Sequence, residues 1–343
     1  MAEPKVSVCI PTFNRSRLLR ESMQSVLSQA FEDFELVVID DASTDDTPGV
    51  VSSIRDRRIR YIRHQRNIAL RANFNECLRT GRCEFIIIFH DDDVMLPDLL
   101  GRELEVFESA PDIVLVHCAA QLIDGDGVVY SVPRQKWPPL TQGLDFVRRY
   151  WASRDCGVAM PSVMLRRRVA LKLGGFNEEL KYSLDAELWQ RMAFEGKIAF
   201  VEEVLLSNRI HAGQATSKIL TDRLQMLVER HKYAEATREL VARHDANIDS
   251  LISRLLTINA AADLTDLRGL GEPLGVIFRY FVEITRRHPR SLLGLRLYGY
   301  LLLACLPGRV VKALKKLHGR RLRSAYLQAH CGMGCETTPR GTL

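Results

Sequence analysis

The chain has 343 residues, of which 46% are hydrophobic and 26% charged, and its net charge is +6 at neutral pH. This composition excludes an intrinsically disordered chain, and the length fits one large domain with an appendage, or two domains. The first residues show no charged stretch followed by a long apolar run, so we expect a protein of the reducing cytoplasm.

The N-terminal part predicts a strand, a helix and a second strand. KVSVCIP alternates apolar residues and predicts a buried strand ending at Pro11. A helical pattern follows, for which Asn14 or Ser16 could form the cap. FELVVID is almost continuously hydrophobic, which is typical of a strand covered on both faces, and it ends in Asp40 and Asp41.

The same alternation continues up to a predicted hairpin turn. In chain order it predicts a helix from Thr47-Pro48, a strand over 60–63, a helix over 69–80, the strand EFIIIFH, a helix from 96–98, the strand IVLVHCAAQLI and a turn at 124–127. This order predicts an α/β fold with a mostly parallel sheet flanked by helices. Ligands of such sheets bind at the carboxyl ends of the strands, where both acidic clusters lie.

Asp91, Asp92 and Asp93 follow the most apolar predicted strand. Three adjacent carboxylates in a partly dry setting repel one another, so solvent or a bound cation must offset their charge. A divalent ion that also holds a sugar diphosphate suits this pattern, because Mg²⁺ typically uses one or two carboxylates together with phosphates and water. A solvated loop before a helix N-terminus is the alternative.

Two further carboxylates have more than one interpretation. Asp41 opens the loop DASTDDT, which could serve to cap the next helix or could accept a hydrogen bond from the imide N–H of uracil or thymine. Asp185, in SLDAELWQRMAFEG, shares a helix face with Leu188 and Trp189, whereas Glu187 lies on another face. Asp185 could be a helix cap or a general base whose pKa is adjusted by burial.

Three segments together resemble the family-2 inverting glycosyltransferases, which have a GT-A fold. They are VSVCIPTFNRSRLLRESMQSVLSQAFEDFELVVIDDASTDDT, EFIIIFHDDDVMLPDLL and GGFNEELKYSLDAELWQRMAFEGKIAFVEEVLLSNRIHAG. The likeness covers roughly residues 5–215, and its specificity comes from the order and spacing of the segments. It implies transfer from a nucleotide-diphosphate sugar with Mn²⁺ or Mg²⁺ as cofactor.

The resemblance also implies roles for residues on the donor side. Thr12 and Asp41 would contact the nucleobase. Asp92 would be the principal metal ligand, with Asp93 beside it and Asp91 near the diphosphate. The first carboxylate of the usual Asp-x-Asp pattern is replaced by His90 here, which leaves open whether His90 or Asp91 completes the metal site.

On the acceptor side, the resemblance makes Asp185 the general base that takes the proton of the attacking hydroxyl. His211 stands where many members carry a late histidine near the diphosphate or metal, although a purely structural histidine is an equal alternative. Arg71 is a candidate phosphate contact on a loosely matching helix. Cys83 replaces the usual glycine before the metal-binding strand.

The C-terminal third changes character. We expect a GT-A domain over residues 1–215, a helical and basic region over 216–330, and a flexible tail over 331–343. The run SLLGLRLYGYLLLACLPG is short, glycine-interrupted and contains an arginine, which favours buried or interfacial helices over a membrane span. Basic residues interleave with apolar ones between 286 and 323, as in helices that lie on an anionic membrane; a solvated basic face is the alternative.

The resemblance therefore implies an enzyme that transfers a sugar from a UDP- or dTDP-sugar to a saccharide or lipid-linked saccharide in cell-surface polysaccharide or glycolipid assembly. The Gln-x-x-Arg-Trp motif of processive synthases is absent from it, so one sugar or a few are transferred. The alternatives are a non-catalytic sugar-nucleotide or glycan-binding protein, and a nucleotidyltransferase, against which the glycine-free PTFNRSR loop argues. We expect attachment to the inner membrane face and no nucleic-acid partner.

Overall fold

The computed structural model describes residues 4–134, 137–152, 158–181, 183–211, 213–214, 223–242, 273–287 and 301–307, with the single residues 252, 264 and 268. The chain forms two compact units, Met1–Val147 with Gly157–Ile219, and Arg148–Cys156 with Leu220–Leu343. The predicted domain boundary at residue 215 stays a prediction, and the predicted tail over 331–343 lies outside the described residues.

Ten strands of the described chain form the sheet of the first unit. They are β1 (Val6–Thr12), β2 (Phe34–Asp40), β3 (Ile59–Arg63), β4 (Phe85–Ile88), β5 (Val94–Met95), β6 (Ile113–Ile123), β7 (Val129–Ser131), β8 (Leu140–Gln142), β9 (Val163–Arg166) and β10 (Lys197–Arg209). The order along the sheet is β3-β2-β1-β4-β9-β6-β10-β5. The first four of these strands are parallel, β9 runs antiparallel to both its neighbours, and β10 is parallel to β6.

The helices between these strands are α1 (Ser16–Leu27), α2 (Thr47–Ser53), α3 (Leu70–Thr80), α4 (Leu99–Ser109), α5 (Gly143–Ala152), α6 (Arg167–Lys172) and α7 (Leu184–Ala193). The predicted α/β architecture is confirmed as a mainly parallel central sheet flanked by helices. One end differs from the prediction: β4 stops at Ile88, two residues before the predicted end at His90. The residues that follow leave the sheet as a turn, and this turn brings the acidic side chains together.

The core explains why the first strands are so apolar. All seven residues of β1 and all seven of β2 are buried. On one face they pack with Leu19 and Met23 of α1 and with Leu104 and Phe107 of α4. Burial on both faces matches the nearly unbroken hydrophobic run of β2.

The strand order also places the site. Because β1 lies between β2 and β4 and runs parallel to both, the segments that follow these three strands meet at one edge of the sheet. Thr12 pairs with Asp40 in this register, and Cys9 pairs with Ile88. The two predicted acidic clusters are therefore neighbours in space.

The second unit is helical where it is described, as α8 (Arg223–Val241) and α9 (Leu274–Arg287) show. In it Trp151 stacks on Tyr233 of α8, with ring centroids 4.8 Å apart. No helix among the described residues has the length and hydropathy that a membrane crossing requires. Most of the predicted basic region between 286 and 323 lies outside the described residues.

Candidate active site

The three consecutive aspartates after β4 are all buried, each with at most 5% of its surface exposed. Carboxylates buried together need compensating hydrogen bonds or charges. Each of the three has a different set of partners, so they are not equivalent groups on a loop. The alternative of a solvated loop is wrong for this cluster.

Asp91 is held from the β1 side. The hydroxyl of Thr12 donates to its Oδ2 at 2.8 Å, and Nη1 of Arg15 donates to its Oδ1 at 2.9 Å. Burial raises the pKa of Asp91 above its ordinary value, and the positive charge of Arg15 acts in the opposite direction. The hydroxyl hydrogen of Thr12 is therefore already donated to Asp91. A nucleobase contact by Thr12 stays a prediction.

Asp92 lies at the centre of the cluster. Its Oδ2 is 2.7 Å from Nη1 of Arg15 and 3.1 Å from Nε2 of His211. Its main-chain carbonyl accepts a hydrogen bond of 2.8 Å from the buried side chain of Arg209. The predicted late histidine therefore reaches the predicted principal metal ligand, although the two are far apart in sequence.

Asp93 is held from the β10 side. Its Oδ1 accepts the backbone N–H of Arg209 at 2.7 Å, and the side-chain amide of Asn208 lies within 3.3 Å of both its oxygens. His90 Nδ1 is 3.4 Å from Oδ2. Burial raises the pKa of Asp93. Burial lowers the pKa of His90, but the hydrogen bond and charge of Asp93 outweigh this effect, so the pKa of His90 is raised overall.

These contacts select the residues that could hold a metal ion. His90, Asp92 and Asp93 each offer one ligand atom, and these atoms lie within 4.8 Å of one another. Two carboxylates and an imidazole fit a divalent ion such as Mn²⁺. Asp91 is directed to Thr12 and Arg15 instead, so the group contains His90 where the sequence left a choice between His90 and Asp91.

The sequence left two roles open for the loop after β2, helix capping and contact with a nucleobase, and different residues of the loop are suited to them. The carboxylate of Asp45 bonds to the backbone N–H groups of Ser16 and Thr47, the first residues of α1 and α2. Capping is thus the work of Asp45, and not of Asn14 or Ser16 as expected for α1. Asp41 is buried and accepts the N–H of Ile68 at 2.7 Å. A base contact by Asp41 stays a prediction.

Three non-glycine residues around this edge have positive φ angles. They are Asn14 at 53°, Ala42 at 63° and Ala69 at 71°, and they lie between β1 and α1, after β2 and just before α3. A positive φ costs roughly 1 kcal/mol or more for alanine, and such strain gathers at functional sites. The strained turns therefore favour a ligand site at this edge of the sheet.

Asp185 lies in the first turn of α7 and is only partly buried. Its Oδ1 accepts the N–H of Ala186 at 2.7 Å. Its desolvated surroundings raise the pKa of this carboxyl, while the charge of His90 lowers it by a smaller amount. A common site for Asp185 and the acidic cluster stays a prediction.

A row of aromatic rings connects α7, the helix that carries Asp185, with His90 beside the acidic cluster. Trp189 of α7 contacts Phe176 edge-on at 6.1 Å, Phe176 contacts Phe74 of α3 at 5.8 Å, and Phe74 stacks on His90 at 6.3 Å. Packed aromatic rings fix the distance between the elements that carry them. The helix of Asp185 is thus positioned relative to His90 by direct packing.

The helix face that carries Asp185 is apolar, so Asp185 is expected to be the more buried carboxylate of the helix, but the structure buries Glu187 more deeply. Glu187 is only 7% exposed, and its carboxylate forms an ion pair with Arg191 at 2.6 Å. Arg191 also donates to the carbonyls of Leu173 and Gly175. The expectation is wrong because α7 is buried on most of its circumference, and an i,i+4 cation accompanies Glu187 into the interior.

Arg71 occupies a structural position. Its Nη1 donates to the carbonyl of Glu178 at 2.8 Å, and Asn75, one turn later on α3, exchanges hydrogen bonds with the backbone of Phe176. Both side chains hold the segment that leads into α7. A phosphate contact by Arg71 stays a prediction that this geometry does not favour.

Sequence reasoning missed two arginines. Arg15 bridges Asp91 and Asp92, and Arg209 is fully buried between Glu21 and the acidic turn. The only signal for Arg15 was its place in the loop directly after β1. For Arg209 the signal was a charged residue at the end of a buried strand.

Comparison with known proteins shows which family this chain is similar to. Residues 7–174 match the model of the family described as glycosyl transferase family 2. A β-1,3-glucosyltransferase of Campylobacter jejuni that acts on GalNAc(5)-diNAcBac-PP-undecaprenol is 29% identical over 213 residues, which are 60% of this chain and 65% of that protein. A Rickettsia prowazekii glycosyltransferase is 28% identical over 221 residues, which are 63% of this chain and 67% of that protein.

Solved structures agree on the fold. TarS 1–349 of Staphylococcus aureus, in complex with UDP-GlcNAc, aligns with a TM-score of 0.66 at 17% identity and covers 92% of each chain. The mannosyltransferase PcManGT of Pyrobaculum calidifontis, in complex with GDP-Man and Mn²⁺, aligns with a TM-score of 0.53 at 17% identity over 94% of this chain and 89% of that one. At these identities the likeness establishes the GT-A fold.

Proposed function

Because the chain belongs to glycosyl transferase family 2, we propose that it transfers a sugar from a nucleotide-diphosphate donor to an acceptor hydroxyl, with inversion at the anomeric carbon. The observation that carries the proposal is the presence of two groups of carboxylates in different surroundings, the acidic cluster and Asp185. A buried acidic cluster with a metal-suited group lies at the sheet edge, and the helix that carries the partly exposed Asp185 packs through Trp189, Phe176 and Phe74 against His90.

The donor side consists of His90, Asp92 and Asp93, which would hold a divalent ion, and of the strained loops after β1 and β2, which would hold the nucleotide. When bound, the ion supplies positive charge that stabilises the departing nucleoside diphosphate. A base contact of Asp41 with uracil or thymine is supported by its free acceptor: one carboxylate oxygen accepts the N–H of Ile68, and the other accepts no hydrogen bond from the described residues. UDP- and dTDP-sugars are therefore the proposed donors.

The acceptor side consists of Asp185. Its carboxylate accepts the proton of the acceptor hydroxyl while that oxygen forms a bond to the anomeric carbon and the bond to the diphosphate breaks on the opposite face. One displacement of this kind inverts the anomeric configuration. The raised pKa makes Asp185 a better proton acceptor than an exposed aspartate, because a more basic carboxylate holds the proton more strongly.

We propose a lipid-linked saccharide acceptor, supported by the similarity to a glucosyltransferase named for an undecaprenol-linked substrate. Helix α9 supports attachment to a membrane on the cytoplasmic side. Leu274, Phe278 and Val282 form an exposed apolar stripe on it, while Ile277 and Tyr280 face the interior of the unit. Exposed arginines at 279 and 286 flank the stripe, as expected for a helix that lies on anionic lipid.

Sedimentation with lipid vesicles tests the membrane part of the proposal. The wild type should sediment with vesicles that contain phosphatidylglycerol more than with phosphatidylcholine vesicles, and Phe278→Ser should weaken this binding. Val128→Ser is the matched control, because Val128 is exposed to a similar degree in the other unit. Equal binding by all three proteins would reject α9 as the attachment surface.

Release of nucleoside diphosphate from a panel of sugar nucleotides, with Mn²⁺, Mg²⁺ or EDTA, tests the transfer reaction. Slow hydrolysis of one donor, lost in EDTA, would support the proposed donor site and name the nucleotide. Product from that donor and a lipid-linked saccharide can then be analysed by NMR, where inversion is read from the anomeric coupling constant. Failure of the whole panel to bind would reject the donor-site assignment.

A further inference from the structure

The guanidinium group of Arg15 connects three segments that are distant in sequence. Nη1 bonds to Asp91 and to Asp92, and Nη2 donates to the main-chain carbonyl of Gly213 at 2.9 Å. The side chain of Arg15 is about one quarter exposed, whereas those of the two aspartates are almost fully buried. Arg15 is thus the most exposed of the three residues and contacts both carboxylates.

Gly213 belongs to a turn that also carries His211. The N–H of Gly213 donates to Nδ1 of His211 at 3.2 Å, and the N–H of His211 bonds to the side chain of Gln214. Nε2 of His211 contacts the same Asp92 oxygen that Arg15 contacts. Arg15 and His211 therefore share one oxygen of Asp92, and Gly213 bonds to both of them.

The charge of Arg15 has a second consequence. It neutralises part of the charge of the carboxylates that attract a divalent ion, and its own charge lies against Asp92, one of the three residues suited to hold that ion. Two cations in a partly dry site repel one another strongly. An ion alone should consequently bind weakly here, and the negative charge of a diphosphate should restore the balance.

We propose that Arg15 is a positioning residue that keeps the ion affinity of the acidic cluster low before the donor arrives and fixes the turn formed by His211, Gly213 and Gln214 beside that cluster. This inference rests on the proposed function, since it concerns the same site. It assigns two separable properties to one side chain. The positive charge sets the ion affinity, and the branched guanidinium, which reaches Asp92 and Gly213 at once, holds the turn.

Two variants separate these properties. Arg15→Met removes both properties. Arg15→Lys keeps the positive charge, but its single ammonium group cannot make the several hydrogen bonds of the planar guanidinium. Arg17→Met is the matched control, because Arg17 is exposed on α1 and loses the same charge outside the cluster. Mn²⁺ binding is measured without nucleotide from the EPR signal of free Mn²⁺, and amide exchange of the 211–214 turn is followed by mass spectrometry.

We expect Arg15→Met to bind Mn²⁺ about tenfold more tightly than the wild type, and Arg15→Lys to bind it like the wild type. Both variants should exchange the 211–214 amides about tenfold faster, while Arg17→Met should change neither property. Unchanged or weaker Mn²⁺ binding by a folded Arg15→Met protein would overturn the inference, as would unchanged exchange of the turn. If neither the wild type nor Arg15→Met bound Mn²⁺, the inference and the metal part of the proposed function would both fail.

Discussion

The two carboxylate groups of the site are built in opposite ways. The three aspartates of the cluster are buried and form hydrogen bonds with Thr12 of β1, Arg209 of β10 and His211. Asp185 is partly exposed, and it accepts a hydrogen bond from the N–H of the next residue in its own helix. The difference fits the proposed division of roles, in which the first group binds the donor and its metal ion and Asp185 exchanges a proton with the acceptor.

The largest expected effect comes from the buried group. Asp92→Asn removes charge from the metal-suited group and weakens the contacts with Arg15 and His211, so turnover should fall about a thousandfold. The initial rate of product formation measures this loss. Asp98→Asn, at an exposed position before α4, should retain the wild-type rate. Equal rates for Asp92→Asn and the wild type would exclude a role for the cluster.

Asp185→Asn should lower kcat about a hundredfold or more, because the amide cannot accept the proton of the acceptor hydroxyl. The free energy of unfolding should stay within about 1 kcal/mol of the wild type, because this carboxylate forms no ion pair with any of the described residues. Steady-state kinetics and urea unfolding measure the two quantities. Full activity of the variant would remove Asp185 from the mechanism.

The pH dependence sharpens the comparison further. A general base works only when it is deprotonated, and burial raises the pKa of Asp185. Turnover should therefore fall as the pH drops through a value above that of an ordinary aspartate. The kcat profile at saturating donor, acceptor and metal checks this expectation. An acid limb at the ordinary aspartate value would show that Asp185 does not control the rate.

Glu187→Gln should have the smallest effect on turnover, although Glu187 lies two residues from the proposed base. It removes the charge that pairs with Arg191 in the interior, so the free energy of unfolding should drop by about 3 kcal/mol while kcat of the folded protein stays near the wild-type value. Thermal unfolding and kcat measured well below the transition temperature separate the two effects. A large fall in kcat with unchanged stability would contradict this division of roles.

Much of the fold was predictable because strand and helix patterns are local. The unbroken apolar run of β2 and the alternation of β1 fixed the class of sheet, and ligand binding at the carboxyl ends followed from it. The end of β4 was not predictable in this way. Phe89 continues its apolar run, but the chain turns after it so that three adjacent aspartates contact different partners.

The candidate site was predicted residue by residue through the family resemblance, yet its internal contacts were not. Arg15 meets partners that are 76 and 198 residues away, and no spacing rule connects such positions. The burial of Glu187 likewise depends on Arg191 reaching two carbonyl groups before α7. Sequence pattern indicates which chemistry is present, whereas these pairings come only from tertiary packing.

Donor binding by Asp92→Asn and Asp185→Asn tests the central claim most directly. Isothermal titration with Mn²⁺ and the sugar nucleotide that the wild type turns over gives the affinity of each protein. The account predicts that Asp185→Asn binds this donor as the wild type does, while Asp92→Asn binds it at least tenfold more weakly. Equal affinities for the two variants would contradict the assignment of the buried cluster to the donor and of Asp185 to the acceptor.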